Sequence, residues 1–270
     1  MTRTELDTVT YETAADGVVL LTLSRPDRGN GVVPEMAADL ITSWTRFEQD
    51  DDVRAVVLTG AGKQFSAGAD IKAMADYFRD VYPLTHEPYN ARVLYPVVQR
   101  IHGGRLPVVA AINGAATAGG LDLALACDIR ICSEVARLGE TYVRMGLPVG
   151  TGGSWHLPKL IGPGLAAELA LTGELVDARR ALEIGLVNRV VPAERLVDEA
   201  VGVAATIAAR PRKAVEATRQ ALRTGWQTDL SAALDATYWA VSTAQAGPDV
   251  REGVAAFLDK REPRFNRPPA

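Results

Sequence analysis

VVLTGAGKQFSAGADI, residues 56–71, and VVAAINGAATAGGLD, residues 108–122, share one build. In each, an apolar run that reads as a buried strand passes into a loop of small residues that opens a helix. Small residues let another group approach the backbone closely, and a helix start presents unpaired N–H groups with the positive end of the macrodipole. Two such ends brought together would hold an oxyanion, each donor being worth about 3 kcal/mol where negative charge develops in a transition state. Taken singly, either loop is explained by close packing of a helix on a sheet. Their repetition in consecutive strand–helix units points to a site.

Outward from these loops the strand–helix alternation continues. Residues 17–23 form a β-branched run stopped by Ser24-Arg25-Pro26-Asp27, a strand and its turn. Pro34 opens a helix whose Met36, Leu40, Ile41, Trp44 and Phe47 recur at helical spacing. Further strands are expected over 53–59, 108–112 and 129–132, and helices over 70–77, 90–102 and 120–126. This predicts an α/β fold with parallel strands and crossover helices. Beyond Gly152 the pattern is helical apart from a short extended run at 186–191, and ends in four amphipathic helices over 196–209, 211–223, 230–246 and 250–261. A boundary near Pro192 therefore divides an α/β core, 1–192, from a helical region, 193–270, that packs as a lid or against another subunit.

Composition excludes several classes of partner. The chain has 270 residues, 47% hydrophobic and 23% charged, with a net charge of −4 and no Lys/Arg run longer than two, so neither nucleic acid nor an anionic membrane is expected to bind. The first sixteen residues are polar and acidic, without the pattern of a signal peptide, and the protein is expected in the cytoplasm. Residues 108–126 are interrupted by Asn113, Thr117, Gly119, Gly120 and Asp122, which argues against a membrane span. Cys127 and Cys132 lack the spacing of a metal or redox motif and read as small buried hydrophobes, and no metal site is expected. Gly60-Ala61-Gly62-Lys63-Gln64 is not a phosphate-binding P-loop, since neither Ser nor Thr follows the lysine.

The ordered set Phe65-Ser66-Ala67-Gly68-Ala69-Asp70-Ile71, Asn113-Gly114, Ala118-Gly119-Gly120, Cys127-Asp128-Ile129, Gly146 and Gly152-Gly153 resembles the crotonase (enoyl-CoA hydratase/isomerase) superfamily. The resemblance runs from Leu23-Ser24-Arg25-Pro26 and Asn30 to Phe257 and Lys260. It implies a spiral of ββα units with a C-terminal helical trimerisation region, and a homo-trimer or dimer of trimers. It also implies an acyl-CoA substrate whose coenzyme A is part of the thioester, with no separate cofactor. The oxyanion donors implied are the N–H groups of Ala69 and Gly119. Coenzyme A contacts are implied for Arg25, Arg28, Ser66, Ala67, Asp70, Ile71 and Lys72, with Lys63 a further cation, and for Phe257 and Lys260 across a subunit boundary. A few placed cations complement an anionic ligand without a basic protein.

Hydratases of this family use two glutamates. The resemblance puts Asp122 at the first position and Tyr142 at the second, while Gly150 stands where dienoyl-CoA isomerases have a further carboxylate. Tyr, with a reference pKa near 10, donates a proton better than it accepts one, and Asp is one methylene shorter than Glu. Hydration, double-bond isomerisation and decarboxylation are all open: the resemblance implies a hydratase label, yet this pair fits chemistry with one proton transfer, as in decarboxylation, better than two-glutamate hydration; an acyl-CoA-binding homologue without turnover is the alternative from another class. Residues 73–105 exceed the family's usual length here and are rich in aromatic and polar side chains, which marks Tyr82 and His86, together with Trp155, as acyl-pocket candidates. His86 would also be an acid or base.

Overall fold

Strand runs 56–58 and 108–112 are apolar at every position because the sheet they enter is covered on both faces. Val56, Leu58, Val108, Ala110 and Ile112 belong to one buried cluster, while Ala55, Val57, Val109 and Ala111 belong to the other, on the opposite face. The period-two alternation of strand side chains is thus present, but apolar on both sides. The computed structural model describes residues 3–266.

The strands in chain order are β1 (Thr4–Glu5), β2 (Val9–Ala15), β3 (Val18–Leu23), β4 (Ala55–Gly60), β5 (Gln64–Ser66), β6 (Val108–Ile112), β7 (Ala115–Thr117), β8 (Ile129–Ser133), β9 (Arg137–Gly139), β10 (Val176–Asp177) and β11 (Arg189–Val191). The helices are α1 (Pro34–Gln49), α2 (Ile71–Asp80), α3 (Tyr82–Thr85), α4 (Tyr89–Val93), α5 (Tyr95–Gly103), α6 (Gly119–Ala126), α7 (Gly153–Ile161), α8 (Pro163–Thr172), α9 (Ala178–Glu183), α10 (Leu196–Ala208), α11 (Arg212–Gly225), α12 (Leu230–Ala246) and α13 (Pro248–Leu258).

Each repeat of the α/β pattern contributes one strand to each of two sheets. The larger sheet has the order β1-β2-β3-β4-β6-β8-β11 and the smaller β10-β9-β7-β5. β4 with β5, β6 with β7 and β8 with β9 are the successive turns of a spiral, parallel to one another within each sheet. The loops of small residues therefore hold short strands, β5 and β7, where the sequence predicts loop.

Two other elements depart from the sequence reading. Residues 4–5 and 9–15 pair antiparallel at the edge of the large sheet, with Val9 and Tyr11 turned inward, so a stretch read only as polar and acidic is a half-buried strand. The helix expected over 90–102 is two helices that break at Leu94, because Pro96 has no N–H to donate back to the preceding turn.

α10 starts beyond Pro192, yet Leu196, Ala200, Ala204 and Ala208 cover the second face of the large sheet. Their four-residue spacing gives a stripe of small side chains that brings the helix close to the strands. α11 is tied to the core through Arg219, whose Nε donates to Asp128 Oδ2 at 2.7 Å and Nη2 to the Ile101 carbonyl at 2.7 Å. Arg223 completes the link, 3.1 Å from Asp128 Oδ1. α12 has no buried residue.

Candidate active site

Gly68 and Ala118 both have left-handed backbone, with φ of +87° and +48°. Each immediately precedes one of the two expected donors, Ala69 and Gly119. For Ala118 this is a sparsely populated conformation, costing about 1–3 kcal/mol and held by the surrounding structure. It caps the start of α6, and its own N–H donates to the Gly139 carbonyl at 2.9 Å. On the other loop, Val32 donates to the Gly68 carbonyl at 2.7 Å and accepts from the Asp70 N–H at 3.0 Å. The Ala69 N–H is left facing away from that pairing. Gly119 lies in the first turn of α6, where an N–H has no intrahelical acceptor. Among the described residues, neither N–H donates to a protein acceptor outside the helices and strands.

The two loops touch. A Cβ on Gly68 would stand 2.8 Å from the Gly119 nitrogen, so only glycine leaves the space before that N–H open. A Cβ on Gly120 would stand 2.0 Å from the Ser66 carbonyl oxygen, the mark of α6 packed hard against β5. Asn30 clamps the first loop: its Nδ2 donates to the Ala61 and Gln64 carbonyls at 2.9 and 2.8 Å, and its own carbonyl accepts the Ser66 hydroxyl at 2.9 Å. A cavity of about 80 Å³ opens between the loops, lined by Ala67, Ala69, Ile71, Ala118 and Tyr142, and by Met74, Asn90, Thr141, Met145 and Leu147.

Asp122 is fully buried on α6. Tyr142, in the helical turn Thr141–Met145, donates its hydroxyl to Asp122 Oδ2 at 2.5 Å, and the Tyr142 hydroxyl oxygen lies 2.8 Å from Thr151 Oγ1. Burial pushes the Asp122 carboxyl up despite the Tyr142 hydrogen bond, which acts to lower it. The Tyr142 phenol is raised well above its ordinary range by burial first and by Asp122 second. Thr151 and Glu140 were not singled out in the sequence, although both flank the Tyr142 segment. Glu140 is fully buried and raised well above the usual carboxylate range by burial and by Asp122.

The other expected contacts divide. Arg25 and Asp70 meet each other at 3.0 Å, and Asp70 Oδ1 accepts the Lys72 and Ala73 N–H groups at 3.0 and 3.1 Å, capping α2. Arg28, Lys63 and Lys72 carry exposed side chains, and Ile71 is half exposed. Ser66 is buried, its hydroxyl used within the loop. Phe257 and Lys260 are exposed at the end of α13 and do not line the cavity.

Tyr82 and His86 stack edge to face at 5.8 Å, with Tyr82 also against Phe78 at 5.6 Å, and neither lines the cavity. Trp155 turns elsewhere, because α7 presents it to His102, His156 and Trp226, with the Lys159 ammonium 3.8 Å from its ring centre. The polar Asn90 and the apolar Met74, Met145 and Leu147 take the positions around the cavity instead. Among the described residues, no group of three or more His, Cys, Asp or Glu side chains could hold a metal ion, and no helix is long and apolar enough to cross a membrane. Cys127 and Cys132 are buried and free.

Comparison with known proteins agrees with this geometry. The family model for enoyl-CoA hydratase/isomerase matches residues 13–268. A probable enoyl-CoA hydratase of Mycobacterium tuberculosis is 35% identical over 261 residues, covering 95% of this chain and 99% of that protein. An (E)-benzylidenesuccinyl-CoA hydratase of Thauera aromatica is 36% identical over 266 residues, covering 95% and 98%. The crystal structure of an enoyl-CoA hydratase from Bacillus anthracis superposes with a TM-score of 0.91 at 35% identity, over 96% of this chain and 99% of that one. With its spiral of paired sheets and its two loops in contact, the chain belongs to the enoyl-CoA hydratase/isomerase family.

Proposed function

We propose that the protein transforms an acyl-CoA by drawing the thioester carbonyl oxygen onto the N–H groups of Ala69 and Gly119, and by exchanging a proton at the neighbouring carbon through Tyr142 and Asp122. The observation that carries this reading is the pair of free N–H groups, each following a left-handed residue, beside a buried tyrosine–carboxylate hydrogen bond. As an enolate forms, negative charge gathers on the carbonyl oxygen, and preorganised donors stabilise it more than they do the ground state. Asp122, raised by burial, is basic enough to take a proton near neutral pH. Tyr142 stays protonated there and acts as a donor.

Tyr142 lines the cavity while the carboxylate of Asp122 stands behind it, so in this reading the proton passes between substrate and Asp122 by way of the Tyr142 hydroxyl. With Tyr142 in place of a second carboxylate at the cavity wall, chemistry that needs a single proton delivery, such as decarboxylation, fits better than a hydration that uses two carboxylates, while double-bond isomerisation and, from the names of the relatives, hydration stay in the test. The exposed Arg28 and Lys72, with Phe257 and Lys260 of a neighbouring subunit, are the groups we assign to the coenzyme A moiety. The test is incubation with a mixed acyl-CoA panel that includes crotonyl-CoA, read by mass and retention time for gain of water, loss of carbon dioxide or isomerisation. Turnover of at least one thioester is expected. Binding without turnover across the panel would replace the enzyme reading with that of an acyl-CoA-binding protein.

A further inference from the structure

Glu140 precedes the Thr141–Met145 turn and has no exposed surface. Among the described residues neither of its carboxyl oxygens has a hydrogen-bond partner, and the same holds for Asp122 Oδ1. The two carboxyls converge: a Cβ placed on Gly153 would stand 2.6 Å from Glu140 Oε1 and 2.7 Å from Asp122 Oδ1. The titratable groups that act on this pair are the two carboxyls themselves and Tyr142. The Thr151 and Gly153 N–H groups face Asp122 and offset part of its desolvation, without reaching hydrogen-bonding geometry at Oδ1.

Two ionised carboxylates cannot share such a space without a cation, since each suffers the other's field and loses its water. One proton between them removes the repulsion and supplies a donor to the unpartnered oxygens. Its location follows from the neighbours. Asp122 Oδ2 already accepts the Tyr142 hydroxyl at 2.5 Å, which favours its anion, whereas Glu140 has no donor and is better neutral.

From this juxtaposition we infer that Glu140 is a positioning acid: its carboxyl holds the single proton of the pair and directs it at Asp122 Oδ1, keeping Asp122 as the ionised, proton-accepting member. The inference rests on the reading of Asp122 and Tyr142 as the proton-handling pair. When Asp122 takes a proton from substrate, both carboxyls become neutral, and when it returns that proton the starting state is restored, so Glu140 gains and loses nothing over a cycle. Burial and Asp122 both raise the Glu140 carboxyl, in the direction this requires.

Infrared spectroscopy of the full chain without substrate, at neutral pH, tests the proton's place independently of turnover. Wild type should show a protonated-carboxyl stretch that is lost in Glu140→Gln and persists, shifted, in Asp122→Asn. Absence of that stretch in wild type, or its loss in Asp122→Asn but not in Glu140→Gln, would overturn the inference. With whichever thioester is turned over, Glu140→Gln, which still offers an N–H to Asp122, should retain roughly tenfold more kcat than Glu140→Leu. The alkaline limb that ionisation of Glu140 imposes on kcat should disappear in Glu140→Gln; an unchanged limb counts against the role. A panel without turnover leaves the spectroscopic result standing and sinks the reading of the site alone.

Discussion

The Tyr142 hydroxyl sits between Asp122 and Thr151, at 2.5 and 2.8 Å, and donates to Asp122 Oδ2. Tyr142→Phe leaves a buried carboxylate short of its donor, and Asp122→Asn removes the base. Each should lower kcat by about 10²-fold or more, with acyl-CoA affinity held within about threefold. Steady-state kinetics together with calorimetric binding would check this, and parallel losses of kcat and affinity would show a packing role instead. Gly68 makes a separate prediction. At φ +87°, with the Gly119 nitrogen 2.8 Å from where a Cβ would stand, Gly68→Ala obstructs one oxyanion donor and strains the turn that aims the other. A fall in kcat of about 10²–10³-fold is expected, the range for loss of one such donor, while circular dichroism shows the fold retained.

Helices α5 and α7 meet through His102 and His156, whose rings are 5.2 Å apart. His156 Nδ1 donates to the Gly152 carbonyl at 2.9 Å, at the start of α7. Burial lowers both imidazoles to about 4, with the charges of Arg223 and Arg219 adding to the effect at His102. Because the folded value lies below the ordinary 6.5, the unfolded chain binds protons first as pH falls. The stability that depends on neutral His156 is therefore complete above about pH 6.5 and lost as pH falls through about 4, a change on the order of 3 kcal/mol for a group this buried. Urea unfolding of wild type and His156→Asn at several pH values should show a flatter acid slope in the variant. Identical slopes would place the acid sensitivity elsewhere. The candidate site is legible at this scale because its strand runs and small-residue loops are local patterns. The break at Leu94 is not, since Tyr95 to Gly103 keep a helical spacing and only Pro96 interrupts the hydrogen-bond ladder.

Taken whole, the chain leaves its last two helices uncovered on one side. Trp239 is 73% and Phe257 83% exposed, with Leu230, Leu234, Tyr238 and Leu258 exposed beside them. An apolar surface of this kind is a partner-binding surface more often than bare solvent boundary, and a patch that meets a different patch on the next copy closes into a ring when the rotation allows. The family resemblance implies a trimer or dimer of trimers; if this face is the contact, light scattering should show that assembly and Trp239→Glu should shift it toward monomer without unfolding α1–α10. A wild-type monomer at micromolar concentration would refute this and remove the route by which Phe257 and Lys260 reach a neighbour's ligand.

The amino-acid sequence by itself determined the strand runs at 56–58 and 108–112 and the two small-residue loops, whereas Asp122 and Tyr142 are picked out only by the family resemblance. The runs and loops are continuous apolar stretches passing into small residues, enforced by burial on both sheet faces and by backbone conformation at each turn. Tertiary structure alone decided the rest. Glu140 faces Asp122, and Arg25 meets Asp70, only once parallel strands pair in register and bring separate loops to one end of the spiral. Trp155 points to His102 rather than to the cavity because the packing of α7 against α6 and α8, and not any property of its own segment, sets which face is turned inward.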